Sequence, residues 1–164
     1  MRIFHYCHDS EGQGPIQHAI DIAEQIAADL PSATQLLVTG SSQPKRFKLP
    51  KKLDLIKLPK MDERHDHPST DPLLPAGVVK ALREMIILDA IKHFKPNVIF
   101  VKAPEGFEGE TSVPLSKIRK MLPKIKLVLG GDSVPNDTML LRDALLAGKM
   151  FTPSHASNAL TKAA

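Results

Sequence analysis

Residues suited to acid–base chemistry and to anion binding lie together in one short segment near the start of this 164-residue chain. His8 and Asp9 follow an apolar run, and a histidine beside a carboxylate can act as a general base if the chain bends between them. Gly12 and Gly14 then form a turn before a helical pattern, and N–H groups at a helix N-terminus can hold an anion. The segment therefore predicts an anion site with Asp9 as a catalytic candidate and with ligand-binding candidates His8, Ser10, Gly12 and Gly14.

Further candidates fall one helical turn later and in two distant loops. His18 lies one turn into the predicted helix, and Asp132 follows Gly130 and Gly131; both are catalytic candidates. In the segment 103–110 a carboxylate could position a substrate hydroxyl, and the ligand-binding candidates there are Glu105, Gly109 and Glu110. Each residue also has a structural interpretation: the glycines permit a turn, the carboxylates are solvated, and His18 faces solvent.

Several common cofactor motifs are incomplete. A dinucleotide-binding loop needs Gly or Ala where Gln17 stands, and an acidic residue after the second strand, where Thr39-Gly40-Ser41 stands. A nicotinamide or flavin oxidoreductase is therefore disfavoured, and no Lys-Ser/Thr pair follows the glycines as a Walker loop requires. His65 and His67 have no third anchor at metal-ligand spacing, so we predict neither a cofactor nor a metal.

The apolar pattern predicts strands that alternate with helices. Predicted strands cover 2–7, 35–39, 53–58, 97–101 and 126–129, and predicted helices cover 15–30, 76–94, 116–122 and 138–147. The amphipathic pattern of the 76–94 helix is read from Val78, Leu82, Met85, Ile86, Asp89, Ala90 and Phe94.

This alternation predicts an α/β fold, a Rossmann-like open parallel sheet with helices on both faces. We expect one domain over residues 1–148 and a tail, a frayed helix, over 149–164. Ligands bind outside the carboxyl ends of parallel strands, so the loops that start at His8, Lys102 and Gly130 should converge on one cleft.

Composition favours a cytoplasmic protein. The chain has one cysteine, no apolar run long enough for a membrane span and no secretory-signal pattern at its start. Its formal charge is +4. Within 45–60 only Asp54 opposes the cations Lys45, Arg46, Lys48, Lys51, Lys52, Lys57 and Lys60. This stripe suits phosphates or peripheral contact with the inner membrane face, or is a solvated surface; with Phe47 its one aromatic residue, nucleic acid is disfavoured.

The chain also resembles a known family. His8-Asp-Ser-x-Gly-x-Gly14, with helix residues 19–27 and Leu36-Leu-Val-Thr-Gly-Ser41, is similar to the opening of predicted bacterial glycosyltransferases with the GT-B fold. These are distant relatives of the enzyme that adds N-acetylglucosamine to the lipid-linked peptidoglycan precursor. The resemblance extends over about residues 1–143, through 47–50, 55–59, 104–110 and 127–130 with Asp132.

The resemblance implies an acceptor-binding half, with an acceptor that is lipid-linked or phosphorylated. In the family the nucleotide sugar binds mainly to a C-terminal domain, so a separate partner would supply that half. Three positions depart from the family: Pro15 replaces a histidine, Lys102 replaces an aspartate, and Gly130-Gly131-Asp132 replaces Leu-Arg-Asp. Each departure removes a group that could handle a proton or a charge. The alternative is a non-catalytic truncated homologue that acts as a binding or partner-interaction domain.

Overall fold

The computed structural model describes residues 1–7, 14–41, 46–59, 74–101, 118 and 120–129. The predicted helix 138–147, the tail 149–164 and the domain boundary at residue 148 lie outside these residues. The described elements, in chain order, are β1 (Arg2–Cys7), α1 (Gly14–Asp29), β2 (Thr34–Thr39), β3 (Leu53–Lys57), α2 (Ala76–Phe94), β4 (Val98–Val101) and β5 (Lys126–Leu129).

The strands form one five-stranded sheet in the order β3-β2-β1-β4-β5, and every pairing is parallel. From β1 the chain moves outward to β2 and β3, then returns across β1 to β4 and β5. Connections between parallel strands of one sheet are right-handed. Because strands are added outward from β1 in two opposite directions, the helices of the two halves lie on opposite faces of the sheet. The predicted Rossmann-like parallel sheet with helices on both faces is confirmed.

Packing on the two faces follows the alternation of side chains along β1. On one face Cys7 packs with Ile16, Ile20 and Ala23 of α1. On the other face Phe4 and Tyr6 pack with α2 residues and with Ile118. Because both faces are covered, β1 and β4 read as nearly continuous apolar runs, as strands of a parallel sheet usually do.

Helix α2 has clear boundary signals in the sequence. Pro75 precedes its first residue, and Lys95 ends it in the left-handed region with φ 49°. The Lys95 N–H donates to the Ile91 carbonyl at 2.9 Å, and Pro96 follows. A proline cannot extend the helical hydrogen-bond ladder, so the helix ends there. The predicted range 76–94 is confirmed.

The face that α2 buries overlaps the predicted one in part, since Ile86, Ala90 and Phe94 pack half-buried against the core cluster. Its buried residues are Val79, Arg83, Ile87 and Ile91, a row at four-residue spacing. Of the residues used to predict the apolar face, Val78 is 44% exposed and Met85 is 53% exposed. The sequence prediction chose the neighbouring row because a charged residue, Arg83, interrupts the row that is actually buried.

Candidate functional site

The carboxyl ends of all five strands lie level at one edge of the sheet. Cys7 pairs with Thr39, which pairs with Lys57, and Tyr6 pairs with Val101, which pairs with Leu129. The loops that start at residues 8, 102 and 130 therefore leave from neighbouring strands of the same edge. Successive strands are added on one side of β1 up to β3 and on the other side from β4 onward, so the strand order reverses between β1 and β4. Open α/β sheets bind ligands at such switch points.

The N-terminus of α1 opens near this switch point. Gly14 is its first residue and is exposed, and a Cβ atom built there meets no atom within 4 Å. The first turn contains no acidic residue, so no side chain of that turn cancels the positive end of the helix dipole. Pro15 contributes no N–H, so the first-turn donors come from Gly14, Ile16 and Gln17. The anion site expected at this end of α1 stays a prediction.

His18 is the second candidate within the described residues. It lies four residues after Gly14, on the same side of α1, and it is half-buried. Side chains on a helix lean toward its N-terminus, which directs His18 toward the turn that carries Gly14. The other candidates lie outside the described residues: Asp9, Asp132, His8, Ser10, Gly12, Glu105, Gly109 and Glu110.

The exit of β2 is fixed by polar contacts that the sequence prediction did not assign. Thr39 is buried, and its Oγ1 accepts a hydrogen bond from the Ser41 N–H at 3.1 Å. The Gly40 N–H donates to the Cys7 carbonyl at 3.4 Å, and the Leu58 N–H donates to the Thr39 carbonyl at 2.8 Å. Thr39-Gly40-Ser41 therefore holds the ends of β1, β2 and β3 together. A threonine followed by glycine and serine after a strand indicates a turn in which a hydroxyl bonds the backbone two residues on.

A buried network of hydrogen bonds lies beneath α1, and the sequence prediction did not identify it. The Gln35 Nε2 donates to the Ala23 carbonyl at 2.8 Å, so the Gln35 Oε1 is the acceptor for His5 Nε2, also at 2.8 Å. His5 is therefore the Nε2-protonated tautomer. Its ring stacks on Phe100 with 5.2 Å between ring centroids. The signal in the sequence is the presence of one polar residue inside each of two apolar strands, His5 in β1 and Gln35 in β2. Such residues indicate buried side chains that are hydrogen-bonded.

The burial of His5 determines its protonation. The side chain is 2% exposed, and desolvation lowers its pKa from 6.5 to about 4 against the opposing effect of the Gln35 hydrogen bond. His5 Nδ1 is buried and has no hydrogen-bond partner among the residues that the structure describes. His5 is thus neutral at physiological pH, and it links β1, β2 and α1 below the candidate site.

Arg83 is a further polar residue whose role the sequence prediction did not assign. It is fully buried on the α2 side of the sheet, and its Nη1 donates to the Pro59 carbonyl at 2.6 Å. Pro59 lies two residues after the end of β3, so Arg83 ties α2 to the carboxyl edge of the sheet. The four-residue spacing of Arg83 with Val79 and Ile87 was the signal for its burial.

Within the described part of the chain, neither a metal-ligand cluster nor a membrane-crossing helix is found. No group of three or more His, Cys, Asp or Glu residues there is placed to hold a metal ion. No helix among those residues combines the length and apolarity needed to cross a bilayer.

Comparison with known proteins yields structural likeness only. No family model matches the chain, and no curated protein matches it. A UDP-glucosyltransferase from Polygonum tinctorium is 17% identical with a TM-score of 0.47, over 81% of this chain and 30% of that one. TubZ of Clostridium botulinum phage c-st is 15% identical with a TM-score of 0.46, over 90% and 45%.

A glycosyltransferase from Rickettsia africae ESF-5 is 14% identical with a TM-score of 0.45, over 90% of this chain and 35% of that one. The chain spans less than half the length of each of these three proteins. With TM-scores below 0.5, the likeness carries no functional argument, and the α/β assignment depends on the strand order of the chain itself. The chain is similar to glycosyltransferases and to TubZ at this low level.

Proposed function

We propose that the chain is the acceptor-binding half of a glycosyltransferase that transfers a sugar from a nucleotide sugar. The observation that carries the proposal is the exposed N-terminus of α1 at the β1–β4 switch point, where no first-turn acid repels an anion. The motif that resembles GT-B glycosyltransferases, His8 to Gly14, leads directly into this helix end. An acceptor that is phosphorylated or lipid-linked through a phosphate supplies the anion.

In this proposal the candidate residues have two roles. Gly14, with Gly12 before it, leaves the helix N-terminus open to a phosphate oxygen, and a negative charge there is stabilised by the aligned peptide dipoles. His18 on the same side of α1, together with Asp9 and Asp132, handles the proton of the acceptor hydroxyl. The donor nucleotide sugar is bound by a separate partner that supplies the C-terminal half.

Ligand-induced thermal stabilisation of Gly14→Val tests the anion pocket. Lipid phosphates should raise the Tm of the wild-type chain, since a bound ligand stabilises the folded state. A valine at Gly14 meets open space within the protein but projects into the proposed pocket, so folding should survive while the ligand-induced shift is lost.

Gly77→Val is the matched control. Gly77 lies in the first turn of α2, and a Cβ there also meets nothing within 4 Å. This variant should keep the full ligand-induced shift. An unchanged shift in Gly14→Val, or an equal loss in both variants, would remove the α1 N-terminus from the proposed site.

The second candidate function is that of a non-catalytic binding domain. Pro15 at the position of the family's histidine favours it, because proline has no ionisable group. A reading frame encoding a donor-binding half next to this one would support the split enzyme. Sugar transfer from a panel of nucleotide sugars by the two co-purified chains decides between the functions. Transfer that falls at least tenfold in His18→Ala supports the enzyme, and complete inactivity with intact complex formation supports the binding domain.

A further inference from the structure

One segment of the chain, before and within β3, carries a concentrated positive charge that the proposed active site does not use. Within the described segment 46–59 the single acidic residue is Asp54. The exposed cations of this segment, here called the basic surface, are Arg46, Lys48, Lys51, Lys52 and Lys57.

The backbone of the basic surface is held in place. Phe47 and Leu49 pack against the apolar cluster under α1, so the residues between the cations are anchored inward. The Gln35 N–H donates to the Lys52 carbonyl at 2.9 Å, and the Lys52 Nζ donates to the Pro31 carbonyl. A flat partner therefore meets cations whose backbone is already ordered, which lowers the entropy cost of binding.

Protection of a sheet edge does not account for all of this charge. β3 is the outermost strand on its side of the sheet, and a lysine on an edge strand prevents pairing with other chains. Lys57 serves that purpose within β3. Arg46, Lys48 and Lys51 precede β3 and lie outside the strand, so protection of the edge does not involve them.

The basic surface has the chemistry of an electrostatic contact without base stacking. Its one aromatic residue, Phe47, is half-buried against the core and does not offer a stacking platform. Clusters of four to eight Lys and Arg residues beside a membrane-spanning helix or on an amphipathic helix bind anionic lipid headgroups, and the basic surface offers the same density of cations from a loop and an edge strand. A bilayer of anionic phospholipid fits these properties better than a single-stranded nucleic acid.

We propose that the basic surface binds the surface of an anionic lipid bilayer. Each cation near such a surface strengthens partitioning about fivefold. Binding is electrostatic and so decreases with salt, because the screening length falls from about 10 Å at 0.1 M to about 3 Å at 1 M. The contact is independent of the α1 N-terminus and holds whether or not the chain is a glycosyltransferase.

Vesicle co-sedimentation of the full chain tests the proposal. The protein should pellet with vesicles that contain about one third phosphatidylglycerol, and it should stay in solution with pure phosphatidylcholine vesicles. The triple variant Arg46→Gln, Lys48→Gln, Lys51→Gln should lower the partition coefficient on the order of 100-fold. Lys52 is left unchanged because its ammonium group bonds Pro31.

The control is a second triple variant that also loses three positive charges. Lys92, Lys120 and Lys124 are exposed residues away from β3, on α2 and in the segment before β5, and their change to Gln removes the same net charge. This variant should keep binding within about threefold of wild type. Equal losses in both triples would show an effect of net charge alone and would overturn the proposal. So would absence of binding to anionic vesicles, or binding to single-stranded RNA without binding to vesicles.

Discussion

His5 makes the stability of the protein depend on pH. Burial lowers its pKa in the folded chain to about 4, whereas the unfolded chain has the ordinary value of 6.5. Between these values the unfolded state binds more protons, so the free energy of unfolding rises with pH in this window. The stabilisation is complete above pH 6.5 and is lost as the pH falls toward 4.

Urea unfolding at pH 7 and pH 5 measures this dependence. In His5→Gln the side-chain amide replaces the Nε2–H donor to Gln35 but does not titrate. Wild type should lose about 2 kcal/mol more than His5→Gln between pH 7 and pH 5, from the pKa values of about 4 and 6.5. Identical losses in both proteins would show that His5 is not buried as described.

Arg83 should be the most costly charged residue of α2 to remove. Arg83→Ala leaves a cavity and deprives the Pro59 carbonyl of a donor, so it should lower the free energy of unfolding by about 3 kcal/mol. Lys92→Ala, on the exposed side of the same helix, should change it by less than about 0.5 kcal/mol. Similar effects of the two substitutions in a urea titration would contradict the burial of Arg83.

At the scale of elements, two adjacent isoleucines test which face α2 buries. Ile87 is fully buried, whereas Ile86 is half-buried at the border of the same cluster. Ile87→Ala should cost about 3 kcal/mol of unfolding free energy, and Ile86→Ala about half of that. A larger loss for Ile86→Ala would restore the row that contains Leu82 and Ile86 as the core face.

The sequence predicts the elements well where apolar runs end at strong turn signals. The 76–94 helix lies between Pro75 and the Lys95–Pro96 pair, and the structure has the same limits. β5 also has the predicted bounds, 126–129. The predicted strand 53–58 is one residue longer than β3, which ends at Lys57.

Side-chain partners are not predictable in the same way. His5 contacts Gln35 only because β1 and β2 align in a particular register, and that register is a property of the whole sheet. The buried Arg83 donates to the Pro59 carbonyl, 24 residues away in the chain. At the candidate site the level strand ends agree with the expected convergence, and most of the candidate residues stay predictions.

At the scale of the whole molecule, the single cysteine reports on global opening. Cys7 is buried at the end of the central strand. Maleimide should label it at least about 10³-fold more slowly than in the urea-unfolded chain, because access requires loss of the surrounding packing. The Cys7→Ser variant has no cysteine and gives the background labelling. Labelling within tenfold of the unfolded rate would show that the carboxyl edge opens without unfolding.

The central position of β1 has a consequence during synthesis. β1 pairs with β2 on one side and with β4 on the other, and the Arg2 N–H bonds the Asn97 side chain across 95 residues of chain. A ribosome that adds 5–20 residues per second needs about 5–20 s to cover that distance. Throughout this interval the nascent chain presents one open side of an apolar strand. Chaperones that shield exposed strands therefore have their opportunity before β4 emerges, and slower translation lengthens the vulnerable period.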